Sequence, residues 1–279
     1  MNKKKIVASI MLLLSAFMWG ISYSMQSIMS NSLKPYTIIF FKSFSGFILI
    51  AFCLITKRDF DTRTVLSGML IGVVNGMGLI FQQKGLETSS VSNVSFISGL
   101  YIVFVPLLLL FTKKKPKKIY WLALLIACVG MYLLTMSGGI STICIGDIYT
   151  LISAFMFAIQ IVLIGKYTQG SDFVVFCGFQ ELVASVMAGT LMFVFERPQL
   201  SDLNGLLFPI LYVVFASGMA AQLLQNRYQK DIDSSLASLI MSLESVFGVL
   251  GGMVLLNQVL SVREIAGCVL IFIAILIAE

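Results

Sequence analysis

No histidine occurs among the 279 residues of the chain, only five residues are proline, and 11% are charged. The lack of histidine excludes histidine proton relays, histidine metal ligands and every catalytic triad that needs a histidine base. The scarcity of charge is equally restrictive, because a soluble domain carries about 25% charged residues. A chain with so few charges could not cover a water-facing surface, so lipid is the expected solvent for most of it.

Recognisable catalytic and metal-binding motifs are also missing. The five cysteines show no C-x-x-C spacing, and the chain contains no HExxH, GxSxG or paired-aspartate motif. An intramembrane enzyme would have to build its nucleophile and base from serine and glutamate alone. We therefore predict that the protein is not an enzyme, and we expect no cofactor and no bound metal.

Long apolar runs occupy nearly all of the sequence, in which 58% of the residues are hydrophobic. A helix needs about 20 apolar residues to cross the hydrocarbon core. The runs do not alternate with period two, which argues against a β-barrel. The sequence predicts an all-α membrane protein with ten transmembrane helices joined by short connections. The predicted spans are 6–29, 35–56, 65–83, 90–112, 118–137, 146–167, 173–195, 206–226, 234–256 and 261–278.

Basic residues lie at the ends of these spans and predict the orientation of the protein. With the N-terminus inside, fourteen lysines and arginines face the cytoplasm, four face out and Lys42 lies within a span. Such a bias is typical of cytoplasmic loops, so we expect a multi-pass plasma-membrane protein with both termini in the cytoplasm. The net charge of +6 is explained by these helix ends, and we expect no nucleic-acid partner. The cytoplasmic set is Lys3, Lys4, Lys5, Lys57, Arg58, Arg63, Lys113, Lys114, Lys115, Lys117, Lys118, Lys166, Arg227 and Lys230.

The two halves of the chain resemble each other. Residues 14–20 (LSAFMWG) match residues 152–158 (ISAFMFA) at a shift of 138, and Gly76 falls over Gly218 at a shift of 142. Each half holds five spans, and an odd number places the second copy in the opposite orientation. The sequence therefore predicts two inverted five-helix repeats, an arrangement typical of transporters that bind their solute between the copies. The predicted domains are residues 1–137 and 138–279.

A polar stripe runs along the first span and recurs in its copy. Ser15, Trp19, Ser22 and Gln26 follow the i, i+4, i+7, i+11 spacing of one helix face. Such a face predicts a cavity wall, while packing between two helices is the alternative. With the equivalent residues of the second half and two further polar positions, the candidate solute-binding residues are Ser15, Trp19, Ser22, Gln26, Asn75, Tyr101, Ser153, Phe157 and Gln160.

Three ionisable residues lie well inside predicted spans: Lys42, Glu181 and Glu244. A charge near the bilayer centre costs about 2.5–3.5 kcal/mol on insertion scales, so such residues face protein or water and usually have a function. We predict that Glu181 or Glu244 takes up a proton or binds the polar end of a solute, with Lys42 as the charge partner. A structural ion pair is the alternative for Glu181 and Lys42, and the long Lys42 side chain could also reach the interface.

Several motifs resemble the EamA-like branch of the drug/metabolite transporter superfamily. They are the Trp19-Gly20 pair, residues 92–106 (SNVSFISGLYIVFVP), and Leu243-Glu244 followed by a glycine-rich stretch. The resemblance covers essentially the whole chain and implies secondary transport of small metabolites, often export, by alternating access. Many members carry arginine near the position of Lys42, which lacks the bidentate fork of arginine.

Together these features predict a transporter for amino acids or related amphipathic solutes, and the family resemblance implies that it is an exporter. Its expected partners are a small-molecule solute and membrane lipids. The sequence does not determine the oligomeric state, and a homodimer is one alternative. A non-transporting membrane scaffold or sensor is the alternative function. That alternative would leave two buried carboxylates and a polar helix face without a role.

Overall fold

The described residues form ten helical segments. The computed structural model describes residues 3–89, 91–112, 116–135, 144–256 and 261–278, and no strand occurs in these ranges. The segments are α1 (Lys3–Met29), α2 (Pro35–Ser43 and Ser45–Ile55), α3 (Thr62–Thr88), α4 (Val91–Gly99 and Tyr101–Leu110), α5 (Lys118–Thr135), α6 (Ile145–Tyr167), α7 (Phe173–Leu191, continued by the π-helix Met192–Glu196), α8 (Leu207–Leu211, the π-helix Tyr212–Ala221 and Gln222–Tyr228), α9 (Ser234–Met241 and Leu243–Leu256) and α10 (Val262–Ala278).

These helices are those of a membrane protein. Within the described ranges, eight are long and apolar enough to cross a bilayer, and α4 adds the shorter apolar stretch Phe96–Leu110. Large apolar side chains such as Leu125, Phe193 and Val254 are exposed on the outside of the bundle, as lipid contact requires. Each predicted span overlaps one helical segment, and the predicted all-α membrane fold is confirmed. The span ends predicted at 90 and 136–137 lie outside the described residues.

Packing between the helices is reciprocal. In the first half α1 packs against α8 and α9, and in the second half α6 packs against α3 and α4. Extensive contacts also join α2 to α7 and α5 to α10, each pairing one helix with its counterpart in the other half, and α3 packs against α7 as α8 packs against α2. Two copies related by a pseudo-two-fold axis would produce this pattern. The predicted division at residues 137 and 138 lies outside the described residues and stays a prediction.

Glycines allow the close helix contacts on which this packing depends. A β-carbon at Gly68 would lie 2.7 Å from the carbonyl oxygen of Phe176, and one at Gly72 would lie 2.6 Å from that of Gln180. The glycines spaced four residues apart on α3 therefore bring its backbone against α7, as small residues do at interfaces between membrane helices. Gly218 of α8 lies in the same way against the backbone of α2.

Polar contacts hold α2 and α7 together at both ends. At one end Arg58 forms a salt bridge of 2.5 Å with Asp172, the N-cap residue of α7. At the other end the Glu196 carboxylate accepts hydrogen bonds from the backbone N–H groups of Tyr36 and Thr37 at 2.8 and 2.7 Å. A carboxylate is favourable there because the first amides of a helix have no partner within the helix. Arg58 and Glu196 are 138 residues apart, the same shift as the repeated segments.

Three helices are interrupted near their middles, at Phe44 in α2, Leu100 in α4 and Ser242 in α9. Hydrogen bonds between residues three apart bridge each interruption, as in Val103 N–H to Leu100 O at 2.8 Å. The interruption in α4 does not coincide with Pro106, which lies inside the piece Tyr101–Leu110. Because irregular backbone at membrane depth is tolerated only where protein or water surrounds it, these points indicate the interior of the bundle.

We predict that Gly46→Ala destabilises the protein far more than Gly251→Ala. A β-carbon at Gly46 would lie 2.6 Å from Leu182 Cα and against other backbone atoms of α7, whereas one at Gly251 would lie 3.1 Å from two side-chain atoms and 3.5 Å from the nearest backbone atom. Overpacking against backbone costs about 1–3 kcal/mol. Thermal unfolding of the purified protein in detergent measures the difference, and equal unfolding temperatures for the two variants would contradict the packing described for α2 and α7.

Candidate functional site

A cavity lies in the middle of the bundle, where the interrupted helices meet. Its volume is about 80 Å³, several times the roughly 10–15 Å³ that one water molecule requires. Eight of the ten helical segments contribute to its wall, and α5 and α10 contribute no lining residue. The lining residues are Trp19, Tyr23, Lys42, Asn75, Leu79, Gln82, Ser98, Tyr101, Phe157, Gln160, Ile161, Glu181, Gln222, Gln225, Met241 and Glu244.

Glu181 is the most deeply buried charge of this wall, with 1% of its surface exposed. It lies on α7, and its Oε1 accepts hydrogen bonds from Asn75 Nδ2 at 3.2 Å and from Gln180 Nε2 at 3.4 Å. Two amide donors satisfy only part of what a carboxylate accepts. The group therefore keeps capacity for a further donor from the cavity.

Glu244 is the second residue after the interruption of α9 and is half-buried. The hydroxyl groups of Tyr23 and Tyr101 lie close enough to its carboxylate to interact with it electrostatically. Tyr101 is the first residue after the equivalent interruption of α4. At a shift of 143 residues the two halves of the sequence align Tyr101 with Glu244, and the fold brings both residues to one cavity.

Lys42 is the one lysine or arginine of the cavity wall among the described residues. Its ammonium group interacts electrostatically with both Glu244 and Glu181, yet neither carboxylate is within the 4.0 Å of a salt bridge. With all three groups ionised, the wall has one negative charge more than it has positive charges. A cation that enters the cavity would balance that charge.

Aromatic rings form the other part of the wall. The Trp19 indole N–H donates to the Ser217 carbonyl oxygen at 3.1 Å, in the π-helical part of α8, so the ring and not its N–H is available to a solute. The Phe157 ring packs against Gly78, where a β-carbon would lie 2.7 Å from Phe157 Cε1. These rings offer an apolar surface beside the charged groups.

A layer of buried amides closes the side of the cavity toward the start of α9. Gln180 Oε1 accepts from Asn226 Nδ2 at 3.1 Å, and Gln180 Nε2 also approaches Gln222 Oε1 at 3.5 Å. Further along α8, Gln225 Nε2 donates to Gln229 Oε1 at 3.0 Å, and Gln229 Nε2 donates to the carbonyl oxygen of Ile161 on α6. The layer thus joins α6, α7 and α8.

The structure brings many of the sequence-predicted site residues to one cavity. Those that line it are Trp19, Lys42, Asn75, Tyr101, Phe157, Gln160, Glu181 and Glu244. The others lie in helix packing. Ser15 Oγ donates to the Ala221 carbonyl oxygen at 3.1 Å and Ser153 Oγ to that of Gly78 at 2.8 Å. Ser22 accepts from Gln26 of its own helix at 2.9 Å.

Sequence reasoning did not select Tyr23, Gln82, Ser98, Gln222, Gln225 or Met241, all of which line the cavity. Helical spacing from a selected residue could have found some of them. Tyr23 follows Trp19 by four residues, and Gln82 follows Asn75 by seven. Gln222 and Gln225 lie in the helix that follows a π-helix. Because a π-helix has a different number of residues per turn, the spacing of an α-helical face could not be extended across it to these residues.

An all-helical bundle that encloses a polar, partly charged cavity at membrane depth is the architecture of a membrane transporter. The sequence model of the EamA-like transporter family matches residues 6–136 and 144–278 of this chain. The chain belongs to the EamA-like transporter family, and it is a transporter of the drug/metabolite transporter type.

Two further comparisons agree with this assignment. An uncharacterized transporter of Archaeoglobus fulgidus is 29% identical over 277 residues, which cover 99% of this chain and 87% of the relative. A solved structure described only as the crystal structure of a protein matches with a TM-score of 0.81 and 15% identity, covering 99% of this chain and 98% of its own. The latter shows a shared fold alone.

We predict that Gln180→Leu lowers the stability of the protein by about 1–3 kcal/mol, because it leaves buried amide groups of α8 without partners. The change keeps the side-chain volume nearly constant and removes three hydrogen bonds. Gln26→Leu is the matched control, since Gln26 is half-exposed and bonds only within its own helix. Thermal unfolding of both variants in detergent tests this, and an unchanged Gln180→Leu protein would contradict the amide layer.

Proposed function

We propose that the protein is a secondary transporter that exports small amphipathic metabolites, such as amino acids, across the plasma membrane by alternating access. The observation that carries the proposal is the charge arrangement of the central cavity, in which Glu181 and Glu244 share the single cation Lys42. Buried charge is costly in a membrane and is retained where it has a function. The solute-binding residues proposed are those of the earlier set that line the cavity.

The excess negative charge of the cavity wall favours binding of a cation. Two kinds of cation could bind there. One is a proton, which removes the cost of a charged carboxylate in a buried site. The other is the ammonium group of a solute, which Glu244 and the faces of Trp19 and Tyr23 would bind through charge and cation–π contact. Because one carboxylate serves both, the two cations compete, and that competition would couple proton entry to solute exit.

Free acceptors in the wall support a solute that carries N–H groups. Gln225 lines the cavity, and its buried Oε1 accepts no hydrogen bond from any described residue. An unpaired buried acceptor costs about 1–3 kcal/mol, so a donor on the solute would recover that free energy. The aromatic wall beside it fits the apolar part of an amphipathic molecule.

The reciprocal packing of the helices supports alternating access. In inverted-repeat transporters the solute site lies between the copies, and one group of helices rocks against the other. Here α4 and α9 occupy equivalent places and are both interrupted beside the cavity. The export direction rests on the family resemblance, and the cytoplasmic position of both termini rests on the distribution of basic residues.

We predict that an imposed pH gradient accelerates flux of a solute through the purified protein in proteoliposomes, and that Glu244→Gln abolishes the acceleration. Amino acids and small organic cations are the solutes to screen. The amide keeps the size of the side chain but can neither release a proton nor attract a cation. Glu87→Gln is the matched control, because Glu87 is exposed and pairs with Lys84 outside the cavity.

Gradient-driven flux that persists in a folded Glu244→Gln protein would contradict coupling through this residue. Solute flux that does not respond to the pH gradient would indicate a facilitator without proton coupling. The absence of flux for every solute, in protein that elutes as a single folded species, would favour the scaffold or sensor.

The orientation gives a separate prediction. A C-terminal fusion to green fluorescent protein should fluoresce in bacterial cells, and a C-terminal fusion to alkaline phosphatase should be inactive, because the first folds in the cytoplasm and the second only outside. A phosphatase fused after Arg197, in the connection between α7 and α8, should be active. The reverse pattern of activity would show that the bundle is inserted the other way.

A further inference from the structure

A second cavity lies at the end of the bundle where α5 and α9 begin, the end that the basic residues predict to be cytoplasmic. Its volume is about 130 Å³. It shares no lining residue with the central cavity. Its polar wall consists of Lys117, Tyr120, Lys230, Asp233, Ser234 and Ser235.

The N-terminus of α9 opens on this cavity. Asp233 is the N-cap residue, but its side chain makes no capping hydrogen bond to the first turn. Its carboxylate instead accepts a hydrogen bond from the Tyr120 hydroxyl at 3.2 Å. The first amides of a helix have no partner within the helix, and the helix dipole makes this end positive. An acceptor from outside the chain can therefore bind the first turn of α9.

A buried hydroxyl gives independent evidence for a ligand here. Ser235 is 2% exposed, and its Oγ has no hydrogen-bond partner among the described residues although it lines the cavity. Gly165 on α6 leaves room beside the neighbouring hydroxyl, because a β-carbon there would lie 2.7 Å from Ser234 Oγ. A hydroxyl that is buried at a cavity wall without a partner is the group that a bound acceptor would satisfy.

The charge of the cavity selects an anion. Lys117 and Lys230 line it, and neither is paired with a carboxylate within 4.0 Å among the described residues. Asp233 is the one acidic residue among the described residues of this wall. The side chains therefore carry one net positive charge, to which the positive end of α9 adds.

We propose that this cavity binds a phosphate group. Phosphate offers several acceptor oxygens at once, which matches a hydroxyl, two ammonium groups and the amides of a helix N-terminus converging on one place. The group could belong to an anionic phospholipid at the membrane surface or to a soluble phosphate. Either source brings the same chemistry to Ser235, Lys117 and Lys230.

Thermal unfolding of the full-length protein in detergent, titrated with sodium phosphate against sodium chloride at equal ionic strength, tests the soluble source. We expect phosphate to raise the unfolding temperature with a saturable dependence. Lys230→Gln should weaken the apparent affinity about tenfold, as expected for the loss of one charge-assisted hydrogen bond. Ser235→Ala should weaken it without harming the fold, because the hydroxyl it removes has no partner in the chain.

Lys166→Gln is the matched control. Lys166 lies at the same end of the bundle, is exposed, and places its ammonium group 4.9 Å from the centre of the Tyr167 ring, away from the cavity wall. The Lys166→Gln substitution removes the same charge from the protein as Lys230→Gln but should leave the affinity for phosphate unchanged. Equal losses of phosphate affinity in Lys166→Gln and Lys230→Gln would contradict the proposed site, because they would show only a general attraction of phosphate to a basic surface.

Native mass spectrometry of protein released from nanodiscs tests the lipid source. The nanodiscs would contain equal amounts of phosphatidylglycerol and phosphatidylcholine. Retention of phosphatidylglycerol by the native protein and by Lys166→Gln, with its loss in Lys230→Gln, would assign the site to a lipid phosphate. Saturable stabilisation by inorganic phosphate without lipid retention would assign it to a soluble one. If neither ligand is bound in a Lys230-dependent manner, the proposal is wrong.

Discussion

Every backbone N–H and C=O group inside a bilayer must find its partner within the protein, and this constraint determines where the fold can depart from regular helix. The helices that contact lipid along their length, such as α5 and α10, are continuous in the described ranges. The interruptions at Phe44, Leu100 and Ser242 and the ten-residue π-helix of α8 all lie next to the central cavity. There, carbonyl groups released from regular helix find partners on neighbouring helices, as the Ser217 carbonyl does in accepting from Trp19. The irregular backbone beside the cavity and the polar cavity itself are therefore two consequences of one requirement, whereas the π-helix Met192–Glu196 ends α7 and contributes no lining residue.

The same requirement organises the charged groups. Glu181 is bonded by Asn75 and by Gln180, and Gln180 belongs to an amide layer that reaches Asn226 and Gln222. Such a network is stable only while its members are paired, because a buried polar group without a partner is costly. The layer therefore holds α7 and α8 in a definite relation beside the carboxylate. A movement that opened the cavity on this side would have to exchange these hydrogen bonds for others of similar strength.

Sequence patterns predicted the fold well and the cavity wall in part. The spans follow from composition, since apolar runs of sufficient length have few alternatives in a chain so poor in charge. Lys42, Glu181 and Glu244 could be selected because charge inside a span is costly. The serines were harder, since a hydroxyl can face a cavity or bond a carbonyl of a neighbouring helix with the same sequence spacing, and Ser15 and Ser153 do the latter. Gln222 and Gln225 could not be predicted from the sequence, for another reason. A π-helix changes the number of residues per turn, so the phase of a helical face cannot be carried across Tyr212–Ala221.

The first piece of α9 connects the central cavity with the second cavity. This piece begins with Ser234 and Ser235 at the second cavity and ends with Met241 at the central cavity. There Met241 Sδ accepts a hydrogen bond from Gln225. Eight helical residues span about 12 Å, so one short regular segment connects the walls of the two cavities. A phosphate bound more tightly in one conformation of the bundle would therefore shift the central cavity toward that conformation. Thermodynamic linkage makes the effect mutual, so a solute in the central cavity would change the affinity for phosphate by the same factor.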